Sequence, residues 1–345
     1  MVPKNLDHIL TTILHLIQKS EKILVVVSQP IDPDCVGTGL ALKWWLAQRS
    51  KKVEIVSFFQ IPESMSRFPG IREIEPLQGN SFNFSRYDLI MLLDGSDWPQ
   101  FFGDDWNKIV SQLDLNKVVN LDHHEAGEIQ GTIPDRCLRV TTSSTAQLLY
   151  DFFIKPGSIE IPPQVAGYLY LALLYDSRMF KNEIHAGEYS FADALISSGV
   201  DHDRAVDANY DIREIKFMSW AVQHTEFFPD LQLTLLNIDS PCSKELTQEF
   251  GKNWKDFDKL YKEQVQRQIK DYHYGIILID NMDGTVKLGW RTRNYGNHLS
   301  IAEVARRAGF RAGGHRNAGG GKFSGTIGEA KTRLLEEMRK ALNGI

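Results

Sequence analysis

The sequence predicts an α/β chain: a doubly wound, largely parallel sheet, then a helical connector and a second, smaller α/β domain. Two observations carry this. Short apolar runs alternate with helical stretches along the first half, and an acidic or histidine-bearing motif sits directly or closely after four of them: Asp32-Pro33-Asp34, Asp94, Asp122-His123-His124 and Asp176. The runs at 23–28, 89–93 and 169–175 read as strand-like, and Asp122 follows Val118-Val119-Asn120-Leu121. Four such motifs at the C-terminal ends of four buried strands converge at the mouth of one parallel sheet, where open α/β folds place their sites.

The first element is a helix, because Leu6, Ile9, Leu10, Ile13, Leu14 and Ile17 recur at spacings of three and four. Thr11, Thr12 and His15 interrupt its apolar character and no small-residue cleavage site follows, so it reads as a core-packed helix and not a secretion signal. A strand over 22–28, the turn Pro30-Ile31-Asp32-Pro33-Asp34, a helix over 36–47 and a strand over 52–58 make a βαβ unit. Further strands end at Asp94 and Asp122, and the Thr/Ser run at 141–145 caps a helix that continues to residue 153. Residues 162–175 form a long apolar element that stops at Asp176. The charged stretch 183–226 reads as helical, without a strong strand. A new strand series starts at 231–238, and 271–280 with 285–293 makes a hairpin around Asn281-Met282-Asp283-Gly284. Helix, glycine-rich loop, strand and helix close the chain. The expected divisions are 1–182, a connector at 183–228, and 229–345.

With 345 residues, 42% of them apolar and 24% charged, the chain can bury a sizeable core. A net charge of -5 argues against a broad basic surface for long nucleic acid, which leaves small anions held by local charge. Cys35, Cys137 and Cys242 lie far apart with no CxxC, so no zinc finger or disulfide framework is readable and the cytosol is the expected compartment. No apolar run approaches the roughly 18 residues that span a bilayer.

Taken singly, each acidic residue reads as a helix cap or turn residue. Taken together, five or six carboxylates and imidazoles in one pocket repel one another unless a cation neutralises them, and oxygen-rich ligands favour manganese or magnesium over zinc. Two ions bridged by one carboxylate would use every donor and would generate hydroxide for in-line phosphoryl displacement. A second cluster, Arg311-Ala312-Gly313-Gly314-His315-Arg316-Asn317-Ala318-Gly319-Gly320-Gly321-Lys322, reads as an anion cradle of close backbone amides and basic side chains. It is not a Walker loop, since Arg316 stands where glycine is required and Phe323 where Ser or Thr is needed. Gly37-Thr38-Gly39 fails as a dinucleotide fingerprint, because its third small position falls on Leu42.

The order Asp-x-Asp, Asp, Asp-His-His, Asp-Ser, followed by a C-terminal Gly-Gly-His, resembles the DHH phosphoesterase family with its DHH-associated domain, over residues 22–335. The resemblance implies two Mn²⁺ ions, with Mg²⁺ as the alternative. Asp32 would bind the first, Asp34 the second, Asp94 both, and His123 with Asp176 would complete the second. His124 would face the phosphate, with Asp94 and His124 as the catalytic residues, and Asp122 would orient a neighbouring imidazole. Arg291, Arg293, Gly313, Gly314, His315 and Arg316 would grip the terminal phosphate or nucleotide. The implied activity is metal-activated hydroxide attack on short oligonucleotides, dinucleotides or phosphorylated nucleosides such as 3′-phosphoadenosine 5′-phosphate. Homodimerisation stays open. One position departs from the pattern: four residues before Asp32, where most members carry histidine, stands Ser28. A binding protein that has lost hydrolysis is therefore one alternative, and a single-strand exonuclease is a separate one.

Overall fold

The computed structural model describes residues 3, 5–77, 82–124, 127–181, 185–206, 212–251, 254–255, 257–293, 299–315 and 317–342. The chain divides into two compact units, Met1–Asp207 and Ala208–Ile345.

In the first unit, α1 (Leu6–Lys19) leads into β1 (Lys22–Val27), α2 (Pro33–Ala47), β2 (Lys52–Ser57), β3 (Ile74–Pro76) and β4 (Leu89–Leu93). Then come α3 (Trp98–Phe102), α4 (Trp106–Val110), β5 (Val118–Asp122), α5 (Glu128–Thr132), β6 (Cys137–Arg139), α6 (Thr145–Leu149) with a π turn over Tyr150–Ile154, and α7 (Pro163–Asp176). The strands form one parallel sheet in the order β3-β2-β1-β4-β5-β6. The order reverses between β1 and β4, and that switch point is where an open parallel sheet leaves a crevice at its carboxyl edge.

The apolar runs are continuous because both faces of the sheet are covered. Along β1, Ile23, Val25 and Val27 pack with α1, α2 and α7, while Leu24 and Val26 join Trp98, Phe101, Ile109 and Ile129 on the other face. Register aligns Val27 with Leu93 and Leu93 with Leu121, so the residues that follow leave the sheet at one edge.

The strand-like run expected before Asp176 is corrected: residues 163–176 are a helix. A helix buried on nearly every side carries no polar stripe, and its fourteen residues exceed the usual length of a buried strand. Gly37 makes its packing possible, since a Cβ there would lie 2.4 Å from the Tyr168 carbonyl oxygen. Three motifs therefore follow strands and the fourth ends a helix.

The segment expected as a connector is divided by the unit boundary. Helices α8 (Glu188–Ser197) and α9 (His202–Val206) go with the first unit, while α10 (Ile212–Gln223) and the edge strand β7 (Thr225–Phe228) go with the second. The second unit continues with β8 (Leu233–Ile238), α11 (Ser240–Phe250), α12 (Phe257–Gln264), β9 (Tyr274–Asp280), β10 (Thr285–Thr292), α13 (Ile301–Arg307), β11 (Arg311–His315), β12 (Ala318–Ser324) and α14 (Ile327–Leu342). Its sheet runs β11-β12-β10-β9-β8-β7, antiparallel except for β8 beside β9. The expected glycine-rich loop is corrected to a strand pair. Its glycines serve close packing: a Cβ on Gly319 would lie 2.1 Å from the Trp290 ring, and one on Gly314 would lie 2.4 Å from the Gly319 Cα. Among the described residues no helix is long and apolar enough to cross a membrane.

Candidate metal centre

The carboxyl edge of the first sheet gathers the four motifs. Asp32 is the N-cap of α2 and accepts from the amides of Asp34 and Cys35, so the capping expected of it is real. Asp34, fully buried in the first turn, accepts from the backbone amides of Thr145 (2.7 Å) and Ala146 (3.0 Å) and from the Thr38 hydroxyl (3.2 Å). Asp94 follows β4 with a left-handed backbone, φ 62°, a conformation that a non-glycine residue holds only where its surroundings enforce it. Its amide donates to the Leu121 carbonyl, and its carboxylate accepts from the Thr145 hydroxyl at 2.8 Å. Thr145 thus orients two acidic residues, one at the start of α2 and one after β4.

His123 is held between two kinds of acceptor. Its Nδ1 faces the Thr142 carbonyl at 3.2 Å, and because a carbonyl only accepts, Nδ1 carries the proton. Nε2 then presents a lone pair to carboxylate oxygens of Asp176 (3.3 Å), Asp94 (3.6 Å) and Asp34 (3.9 Å). Lone pairs facing lone pairs repel, and a cation among them removes the conflict.

The electrostatics agree. Burial, then the charges of Asp34 and Asp32, hold Asp94 well above the usual carboxylate range, and the same causes act on Asp176. Burial and the neighbouring His124 press His123 below its ordinary value. Asp122 does different work, bridging the His124 Nδ1 (2.7 Å) and the Arg139 Nε (3.1 Å). Burial opposes ionisation of both Asp122 and His124, but their mutual hydrogen bond and the opposite charges around each together outweigh it, so Asp122 is lowered and His124 raised.

Three donor sets each bring their ligand atoms within 4.8 Å of one another: Asp34 with His123 and Asp176, Asp94 with His123 and His124, and Asp32 with Cys35 and Asp94. Oxygen and imidazole donors this close suit divalent ions, and Asp94 belongs to two of the sets. The buried Ser28 hydroxyl donates to the Asp94 carbonyl at 2.6 Å. Residues of the second unit expected at the site are placed only within that unit. Arg291 Nη1 donates to the Trp290 carbonyl, Arg293 Nε to the Arg267 carbonyl, and Gly313, Gly314 and His315 lie on β11. Arg316 lies outside the described residues.

Sequence reasoning missed Thr142, Thr145, Arg139 and Cys35. The first two sit in the Thr/Ser run expected to cap α6, and Ser144 does cap it by accepting from the Gln147 amide. More hydroxyls than one cap needs was the available signal.

No family model matches the chain. A probable manganese-dependent inorganic pyrophosphatase of Enterococcus faecalis is 24% identical over 161 residues, which is 47% of this chain and about half, 50%, of that curated relative's length. An exopolyphosphatase-related protein from Bacteroides fragilis superimposes with a TM-score of 0.80 at 20% identity, over 97% of this chain and 96% of that one. The two chains share one fold. RecJ of Thermus thermophilus, in complex with Mn²⁺, gives a TM-score of 0.52 at 13% identity over 96% of this chain and 55% of its own. Within this shared fold the donor sets above sit at the carboxyl edge of the parallel sheet, after β1, β4 and β5 and at the end of α7.

Proposed function

We propose that the protein is a manganese-dependent phosphoesterase acting on short oligonucleotides, dinucleotides or phosphorylated nucleosides. One observation carries the reading: the His123 Nε2 lone pair faces carboxylates of Asp34, Asp94 and Asp176 while Nδ1 is committed to Thr142. Such a bowl of donors fits bound divalent ions, which supply a nucleophile from water at neutral pH and neutralise charge on phosphoryl oxygens. Manganese is supported by the pyrophosphatase relative's name and by the ion bound to RecJ.

The chain's own residues have separate tasks. Asp32, Asp34, Asp94, His123 and Asp176 hold the ions. His124, whose protonated form Asp122 favours, donates from Nε2 to a phosphoryl or leaving-group oxygen. Asp122 and Arg139 fix its ring. The net charge of -5 favours small substrates over long polymers, whose binding rests on many basic contacts. Arg291, Arg293, Gly313, Gly314, His315 and Arg316 are proposed to recognise the substrate's terminal phosphate.

The second reading, a nucleotide-binding protein without turnover, draws on Ser28, whose hydroxyl is spent on a backbone carbonyl. Incubation with Mn²⁺ and a labelled dinucleotide decides between them. Turnover that Asp94→Asn abolishes supports the enzyme, and tight binding without turnover supports the alternative.

A further inference from the structure

Cys35 is fully buried in the first turn of α2, three residues after Asp32. The surroundings of its Sγ are backbone at long range: the Asp32 amide and carbonyl, each at 3.4 Å, and the Ser28 carbonyl at 3.8 Å. The remaining direction is chemical. Sγ and carboxylate oxygens of Asp32 and Asp94 all lie within 4.8 Å of one another. Ser28, four residues before Asp32, turns its hydroxyl to the Asp94 carbonyl. Two carboxylates alone leave a divalent ion under-coordinated by the protein, and among the described residues the donor grouped with them is sulfur.

We propose that Cys35 is the third protein ligand of the ion between Asp32 and Asp94, bound as a thiolate. Coordination replaces the S–H bond with a sulfur–metal bond and releases the proton to solvent. The two ion sites then differ in softness: Asp34, His123 and Asp176 give oxygen and nitrogen donors, whereas Asp32, Asp94 and Cys35 include sulfur, which favours cobalt, zinc or cadmium over magnesium. This rests on the reading of the centre as a metal site, and the test separates the two.

The full chain, stripped with a chelator, is titrated with Co²⁺ and followed by absorption. The expected result is visible d–d bands together with a near-ultraviolet sulfur-to-cobalt charge-transfer band that Cys35→Ala removes and that Cys137→Ala and Cys242→Ala retain. Cd²⁺ affinity of Cys35→Ala should fall by at least the roughly 10- to 100-fold that loss of an outer-shell partner costs, with a smaller change for Mg²⁺. Wild-type protein that binds Co²⁺ without a sulfur band, or a band that survives Cys35→Ala, overturns the proposal and leaves the metal site standing. Failure to bind Co²⁺, Cd²⁺ or Mn²⁺ overturns both.

Discussion

Nε2 of His123 lies 3.3 Å from Oδ2 of Asp176, so the end of β5 meets the end of α7 at the centre of the site. Burial and the charges of Asp34 and Asp32 press against ionisation of Asp176 when no cation is present. Asp176→Asn should therefore leave the metal-free protein as stable as wild type or more so, while removing most of the stabilisation by Mn²⁺. That stabilisation is about 2.7 kcal/mol at a hundred times the dissociation constant. Thermal unfolding with and without Mn²⁺ measures both, and an undiminished Mn²⁺-induced rise in Tm for the variant rejects the assignment.

Arg139 belongs to none of the three donor sets, yet its Nε holds the carboxylate that orients His124. Arg139→Met leaves Asp122 buried with one partner fewer, at a cost of about 3–5 kcal/mol in stability. In the folded variant, kcat should fall about 10- to 100-fold, with Mn²⁺ affinity changed only a few-fold. Equal losses in kcat and Mn²⁺ affinity would show that the pair supports the ligands and not His124.

Helices α2 and α7 carry Asp34 and Asp176, and Gly37 lets them approach. Gly37→Ala places a methyl group 2.4 Å from the Tyr168 carbonyl oxygen and should cost about 1–3 kcal/mol, the usual range for overpacking. A methyl at Gly39 meets nothing nearer than Val27 at 3.4 Å, so Gly39→Ala should change Tm little. Equal Tm values for the two variants would contradict the close approach.

The ligand motifs were legible because each is short, acidic and placed after an apolar run, a pattern that survives without knowledge of the partners. Asp32, Asp34, Asp94 and His123 needed no tertiary information to stand out. Thr145 and Thr142 did, since their roles exist only because α6 and the residues before it lie over the ends of β1, β4 and β5. Cys35 was silent because a lone cysteine with no second thiol in sequence suggests nothing. The strand-like reading of 169–175 failed for a physical reason: burial on nearly every side erases the polar face that distinguishes a helix. Likewise, glycine reads as a loop former until Trp290 and the paired strand are seen to need the space.

Gly313 and Gly319 separate packing from recognition in that strand pair. A Cβ on Gly319 would lie 2.1 Å from the Trp290 ring, so Gly319→Ala should destabilise the second unit, whereas nothing lies within 4 Å of a Cβ on Gly313. On the proposed contact of Gly313 with the terminal phosphate, Gly313→Ala should keep the wild-type Tm and raise KM for a dinucleotide, because the added methyl would occupy that space. Unchanged KM alongside unchanged Tm would remove Gly313 from the proposed recognition set.

Asp258 gives the second unit an acid sensitivity of its own. Its Oδ2 holds Nζ of both Lys262 (3.1 Å) and Lys287 (3.2 Å) in a largely buried setting. Burial alone would raise its carboxyl, but the two ammonium charges outweigh that and hold it below the usual range. Lys262 is itself lowered, burial exceeding the pull of Asp258, so the pair is favourable from one side and costly from the other. For acid unfolding the Asp258 side governs. A depressed carboxylate stabilises fully above its unfolded pKa of about 3.9, and that contribution is lost as pH falls through the lower folded value. Asp258→Asn should cost about 3 kcal/mol at pH 7, the low end for breaking a buried pair, by leaving the buried Lys262 and the half-exposed Lys287 unopposed. The gap between variant and wild type should then begin to narrow in urea unfolding as the pH falls below about 3.9, where the unfolded chain takes up the proton, and close below the lower folded value, where native Asp258 also becomes neutral. A gap that stays constant down to the acid limit would mean that Asp258 acts through packing and not through its charge.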